Sequence, residues 1–167
     1  MPEPVATNIR VLNPSRRRLQ TGDIFAIGLP DDTFMHGRVI AVDLPRERAP
    51  MPGANLIYIY AAKSDSTQPP LESLTPKVLL VPPLFINRLP WSRGYFETVD
   101  HQPLREDDTL PSHFFWDALR GKYVDERGKV VDFVPRPPVG DWGLHSFRTV
   151  DDLVSEAIGI APAPDDS

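Results

Sequence analysis

The sequence predicts an α+β protein that is mostly β: a strongly bent antiparallel sheet or partial barrel with a C-terminal helix packed on it. Prolines number 20 among 167 residues, more than twice the usual share of about 5%, and proline disrupts helix interiors. Apolar residues occur in short runs of strand length that are separated by polar loops. One stripe of apolar residues has helical spacing, and it lies near the C-terminal end.

The first strands are predicted to form a hairpin. Residues 24–29 are an apolar run, residues 30–33 have the composition of a turn, and residues 34–42 form the second strand. Gly37 within the second strand indicates a bulge or a close approach of another group to the backbone. Residues 55–61 are rich in β-branched and aromatic side chains and predict a third strand.

Shorter elements are predicted in the middle of the chain. Residues 71–74 fit one helical turn, and residues 78–81 fit a short strand that ends at Pro82 and Pro83. An extended segment follows over residues 90–99, in which Gly94 indicates another bulge.

The last third of the chain is predicted to contain a second hairpin. Residues 114–119 are too few to decide between a strand and a helical turn. Residues 122–125 and 130–134 flank a polar turn and form the hairpin. Residues 141–147 alternate in polarity and predict one more strand.

A helix is predicted at the C-terminal end. Thr149 is a suitable N-cap, Asp152 is its capping-box-like partner, and Gly159 has the position of a C′ glycine. The apolar stripe, which we expect to be buried, consists of Val150, Leu153, Val154, Ala157 and Ile158.

The chain length predicts one domain with short tails: a basic N-terminal arm over residues 1–20, a β-rich domain over residues 21–160, and a flexible tail over residues 161–167. The formal net charge is −5. The arm holds four arginines against one glutamate, or +3, which leaves −8 on the remainder. Because the rest of the chain is acidic, we do not expect it to bind nucleic acid. We expect a basic protein partner instead.

The sequence lacks the motifs that usually identify several classes of enzyme and metal-binding protein. The chain has no cysteine, which excludes disulfides, thiol nucleophiles and thiolate metal sites. Its four histidines are scattered without metal-ligand spacing, and no phosphate-binding glycine loop or nucleophile elbow is present. We therefore expect no catalytic residues, no metal and no cofactor. No apolar run is long enough for a signal peptide or a membrane span, so we expect a cytoplasmic protein without a membrane partner.

Acidic clusters are the candidate binding features. Asp31 and Asp32 form one cluster in a predicted turn. Paired carboxylates can perform acid–base chemistry or bind divalent cations, but a surface that presents negative charge to a basic partner needs less exact geometry. The candidate contact residues are Glu106, Asp107, Asp108, Asp125 and Glu126.

Aromatic residues are a second candidate binding feature. We expect most of them in the core and one or two exposed as contact anchors, because Trp and Tyr often dominate binding energy at interfaces. The aromatic residues concerned are Trp91, Tyr95, Phe114, Phe115, Trp116 and Trp142.

Four segments, in this order and spacing, resemble the immunity protein 26 family. They are residues 22–39, 90–96, 119–128 and 140–147, and the resemblance covers roughly residues 20–160. Gly28 departs from the pattern, which has proline there. The resemblance implies a mostly β fold and makes residues 21–160 a single immunity-type domain.

The resemblance also implies a non-enzymatic function in bacterial polymorphic toxin systems. Such a protein binds and neutralises, by stoichiometric inhibition, a cognate toxin domain encoded nearby, such as a nuclease. The resemblance supplies neither catalytic nor toxin-contacting residues. Two alternatives stay open from the residues alone: a nucleic-acid or small-ligand binding β module that uses Arg16–Arg18, and a carboxylate-based hydrolase.

Overall fold

In the computed structural model, which describes residues 6–164, nine strands form two β-sheets and one long helix follows them. The strands are β1 (Asp23–Gly28), β2 (Phe34–Leu44), β3 (Ala54–Tyr60), β4 (Leu79–Ile86), β5 (Phe96–His101), β6 (Phe114–Asp117), β7 (Lys122–Val124), β8 (Val139–Asp141) and β9 (Leu144–His145). The helices are α1 (Leu89–Ser92) and α2 (Phe147–Ile158).

The larger sheet has the strand order β5-β1-β2-β3-β4-β9, and the smaller sheet has the order β7-β6-β8. Neighbours are antiparallel except in the pairs β4–β9 and β6–β8. The predicted fold class is confirmed, with an open large sheet rather than a closed barrel. Among the described residues, no helix combines the length and the apolar character needed to cross a membrane.

The large sheet is covered on both faces, which explains why its central strands have continuous apolar sequences. Every residue of β1 and of β3 is buried. On one face, Phe25 and Ile57 pack in a core that includes Val150 and Val154 of α2. On the other face, a second core joins Tyr58 to Phe115 of the small sheet and to other residues. The molecule therefore has three layers: α2 with the N-terminal segment, the large sheet, and the small sheet.

The β1–β2 hairpin forms as predicted, with a turn between Gly28 and Phe34. Gly37 pairs with Phe25 on β1 and with Ile59 on β3. A Cβ atom at Gly37 would lie 2.6 Å from the carbonyl oxygen of Tyr58 and would overlap the ring of Phe25. The expected close approach at Gly37 is therefore present.

The prediction that a strand ends at Pro82 and Pro83 is wrong, because β4 continues through both prolines. Leu84 pairs with Ile57 and Val81 pairs with Ile59, so two residues of β4 lie opposite one residue of β3. This is a β-bulge, and a bulge tolerates proline because the regular ladder of hydrogen bonds is interrupted there.

The segment before β5 is helical where the sequence predicted extended chain. Residues 89–92 form α1, which has Pro90 in its first turn. Gly94 follows with a φ of +84°, so it makes the left-handed turn from α1 into β5 rather than a bulge.

The undecided residues 114–117 form strand β6. Residues 122–124 form β7, and Val124 makes an isolated bridge with Val130, so the predicted second hairpin is present in short form. The single strand predicted over residues 141–147 is instead two short strands, β8 and β9, followed by the start of α2.

Helix α2 begins earlier than predicted. Its N-cap is Ser146, whose Oγ accepts a hydrogen bond from the backbone N–H of Thr149 at 3.2 Å. Gly159 ends the helix in the predicted left-handed conformation, with a φ of +78°. Of the predicted apolar stripe, Val150 and Val154 are buried, Leu153 and Ile158 are partly buried, and Ala157 is exposed.

Two polar residues of α2, Asp151 and Ser155, are buried because the N-terminal segment packs beside them. The backbone N–H of Ile9 donates to Asp151 Oδ1 at 2.8 Å, and Asn8 Nδ2 donates to Ser155 Oγ at 2.8 Å. A helical-wheel analysis that considers only apolar residues therefore misses Asp151 and Ser155, which are two of the four buried residues of α2.

The described part of the predicted arm, residues 6–20, lies along the body of the protein. Its backbone bonds to the rest of the chain include one from Leu12 N–H to the Gly94 carbonyl, at 2.7 Å. Ile9 and Leu19 are buried in the core beside α2, and Arg16–Arg18 are exposed. Residues 1–5 of the arm and 165–167 of the predicted tail lie outside the described residues.

Candidate functional site

The acidic cluster Glu106–Asp108 lies on a single 3₁₀ turn in the loop between β5 and β6. Glu106 and Asp107 are exposed. Asp108 points inward, and its side chain is only 13% exposed. Its Oδ2 atom accepts a hydrogen bond from the backbone N–H of Arg105 at 2.7 Å and lies 3.4 Å from Arg38 Nη1. One cluster thus contains two carboxylates free to meet a partner and one that holds the loop.

The buried Arg38 side chain attaches this loop to the large sheet. Its Nη2 atom donates to the carbonyl oxygens of Gln102 and Pro103, at 2.6 and 3.3 Å. Arg38 also lines a surface cleft of about 420 Å³ together with Arg105 and Asp108. The Arg38 guanidinium thus contacts three groups of the loop: the Gln102 and Pro103 carbonyls and the Asp108 carboxylate. Its main role is therefore to position residues 102–108.

The second acidic cluster also makes internal contacts. Asp125 Oδ1 accepts hydrogen bonds from the backbone N–H groups of Arg127 and Lys129, at 2.8 and 3.1 Å. Glu126 Oε1 accepts from the backbone N–H of His113 at 2.8 Å and lies 2.7 Å from its Nδ1 atom. Both carboxylates therefore stabilise chain reversals beside the small sheet, although both remain partly exposed.

His113 joins this cluster to the buried face of β3. Its Nε2 atom is hydrogen-bonded to the hydroxyl of Tyr58, which also accepts from the backbone N–H of Leu110 at 3.0 Å. Burial raises the pKa of Tyr58 to about 12, so its hydroxyl stays protonated at neutral pH. Tyr58 is fully buried, so this chain of hydrogen bonds fixes the loop rather than offering a group to a substrate.

The remaining acidic pair lies in the β1–β2 turn and is ion-paired. Asp31 Oδ2 lies 2.6 Å from Lys63 Nζ, and Asp32 Oδ1 lies 2.8 Å from Arg10 Nη1. Across residues 6–164, no three His, Asp or Glu side chains come together in an arrangement that could hold a metal ion.

Of the five predicted contact residues, Glu106 and Asp107 are exposed, whereas the other three, Asp108, Asp125 and Glu126, accept internal hydrogen bonds. The distinction could not be read from the sequence, because the partners of Asp108 and Glu126 come from other elements. One further exposed feature is aromatic: Trp116 of β6 lies on the outer face of the small sheet. Of the expectation that one or two aromatic residues are exposed as contact anchors, the exposure is confirmed for Trp116, and its role as an anchor stays a prediction.

Comparison with known proteins identifies the family of this chain. A family model described as immunity protein 26 matches residues 20–125, which is more than half of the chain and spans β1 to β7. No curated protein and no solved structure matches this chain. The match to the family model covers the loop that carries Glu106 and Asp107 and ends at Asp125. The chain belongs to the immunity protein 26 family.

Proposed function

We propose that this protein neutralises a cognate bacterial toxin domain by binding it in a stable one-to-one complex. The observation that carries the proposal is the family match over residues 20–125, since the family implies an immunity protein that acts against a toxin. Inhibition by binding requires a rigid surface complementary to the toxin and no chemistry by the inhibitor itself. Membership of the family suggests the same non-enzymatic role.

Glu106 and Asp107 are the acidic residues that we propose as toxin contacts. Both are exposed, and their loop is held from beneath by the buried pair of Asp108 and Arg38. Two carboxylates on a fixed loop attract a basic surface and accelerate its association. Because a nuclease carries basic groups that bind phosphate, a nuclease is the toxin class that such a pair suits best.

A protection assay tests the proposed function. The toxin domain encoded beside this gene is expressed in a susceptible bacterium, with and without this protein, and survival is scored. We expect rescue, accompanied by a one-to-one complex on size-exclusion chromatography. Absence of rescue from a demonstrably toxic domain, with both proteins well expressed, would contradict the proposal.

A charge-reversal pair tests the proposed contacts separately. We expect Glu106→Lys with Asp107→Lys to slow association with the inactivated toxin domain and to weaken its dependence on salt. The matched control is Asp152→Lys with Glu156→Lys, two exposed acidic positions on α2. Equal association rates for both variants would reject Glu106 and Asp107 as contacts and leave neutralisation by binding untouched.

A further inference from the structure

The small sheet has one face in the core and one face directed outward. Phe115 and Val124 lie opposite each other on β6 and β7, and both are buried in the core between the two sheets. Trp116 and Tyr123 are the next directly opposed pair, so they lie on the outer face. Their rings meet edge to face with centroids 4.9 Å apart. The outer face therefore has an aromatic centre.

Apolar side chains extend this aromatic centre into a larger patch. Val134 is 77% exposed, Phe133 is 52% exposed and Val130 is 40% exposed. Of the eleven exposed large hydrophobic residues in the described part of the chain, five lie between residues 116 and 134. Trp116, Tyr123, Phe133 and Val134 line an open groove of about 360 Å³. A concentration of exposed apolar groups of this kind marks an interaction surface.

The patch, defined as Trp116, Tyr123, Val130, Phe133 and Val134, is held in place by hydrogen bonds of the surrounding turns. The buried Asp117 carboxylate accepts from the backbone N–H of Leu119 at 3.1 Å and is ion-paired with Arg120. The backbone N–H of Val131 donates to the Tyr123 carbonyl at 3.0 Å. A surface that is already ordered loses little conformational entropy when a partner binds.

The exposed charges around the patch are mainly basic. Lys122 lines the groove, and Lys129 and Arg127 are exposed on the adjoining turn. Of the acidic residues of the same segment, Asp117 is ion-paired with Arg120 and Asp125 accepts backbone hydrogen bonds, whereas Asp132 is exposed. The complementary surface on a partner would have an apolar centre edged with acidic side chains.

A protein fits this surface better than a single-stranded nucleic acid does. Basic groups beside aromatic rings can bind a nucleic acid by stacking and phosphate contacts. However, Asp132 lines the same groove, Asp141 is exposed on β8 directly opposite Trp116, and the chain as a whole carries −5. These negative charges oppose phosphates but are compatible with the mixed charges of a protein interface.

We propose that the patch is the energetic centre of the toxin-binding surface and that the toxin covers it with apolar residues edged by acidic ones. This inference rests on the proposed function and goes beyond it by assigning the surface. Trp and Tyr at the centre of a rigid apolar face are the residue types that most often dominate binding energy, whereas exposed charges outside such a centre mainly affect association rates.

The test compares two pairs of glutamate substitutions in the full-length protein. Phe133→Glu with Val134→Glu places negative charge in the patch at its two most exposed positions, where folding is least affected. Met51→Glu with Val78→Glu is the matched control, at positions that are 52% and 51% exposed outside the patch. The dissociation constant is measured with the inactivated toxin domain encoded beside this gene. We expect the patch variant to bind about 30-fold more weakly or worse, and the control to bind like the wild type.

A third variant tests the inferred chemistry of the partner. Phe133→Lys with Val134→Lys removes the same apolar groups but adds positive charge, and we expect it to bind more tightly than the glutamate pair. Wild-type affinity in the patch variant would overturn the inference and leave the proposed function standing. Lack of binding by the wild-type protein would overturn both. Binding of a single-stranded DNA oligonucleotide that Trp116→Ala abolishes, with toxin binding retained, would assign the patch to nucleic acid and overturn the inference.

Discussion

Asp108 forms an ion pair with Arg38, and the pair fastens the loop after β5 to the second strand of the large sheet. Removal of one member of a buried pair leaves the other charge without compensation. We expect Asp108→Ala to lower the free energy of unfolding by about 3–5 kcal/mol, measured by urea denaturation. The neighbouring substitution Asp107→Ala is the control and should change it by less than about 0.5 kcal/mol. Equal effects at the two positions would show that Asp108 does not hold the loop.

A methyl group at Gly37 should disturb the centre of the large sheet. The added Cβ atom would overlap the Phe25 ring and approach the Tyr58 carbonyl oxygen to 2.6 Å, and both residues are fully buried. We expect Gly37→Ala to reduce stability by about 1–3 kcal/mol or more, as overpacking of a core does. Gly143→Ala is the control, since no atom lies within 4 Å of the position of its Cβ. Thermal denaturation should give a lower Tm for Gly37→Ala than for Gly143→Ala.

The ion pair in the β1–β2 turn should be visible in a pH titration. Hydrogen bonds from Lys63, which has the larger effect, and from Thr33 lower the pKa of Asp31 from 3.8 to about 2. Because the folded-state pKa is below the unfolded value, the contribution of this pair to stability is present above pH 3.8 and is lost as the pH falls towards 2. We expect Lys63→Met to raise the pKa of Asp31, measured by NMR of its carboxyl carbon. Lys77→Met should leave it unchanged, and an equal rise in both variants would contradict the assignment to Lys63.

The buried carboxylate of Asp151 should be needed to dock the N-terminal segment on α2. Its substitution by alanine leaves the backbone N–H groups of Asn8 and Ile9 without their acceptor. We expect Asp151→Ala to lower the free energy of unfolding by about 1–3 kcal/mol and to increase amide hydrogen exchange at Asn8 and Ile9. Asp152→Ala, at an exposed position of the same helix, should leave exchange at both amides unchanged.

The parts of the fold that could be predicted from sequence are those decided by local chemistry. The first hairpin has two apolar runs around a turn, so its pairing requires no distant partner. Segment 114–117 could not be assigned because its conformation is decided by β7 and β8, which pair with it on both sides. The continuation of β4 through Pro82 and Pro83 similarly depends on a bulge opposite β3.

The candidate site was predictable only at the level of residue type. Glu106, Asp107 and Asp108 are adjacent acidic residues, and nothing local distinguishes the one whose partner, Arg38, comes from another strand. Alternation along β6 predicts that Phe115 and Trp116 face opposite ways, but it does not say which faces outward. That choice follows from the position of the large sheet, which packs against Phe115.

The contact between Ile9 and Asp151 joins residues 142 positions apart in the chain, and it therefore constrains how the protein folds during synthesis. The ribosome makes the N-terminal segment first, and it adds the carboxylate that receives the Ile9 backbone N–H group 142 residues later. Until then, the apolar side chains of Ile9 and Leu19 cannot complete their core with Val150 and Val154. This face of the large sheet therefore stays uncovered in the nascent chain until α2 has been synthesised.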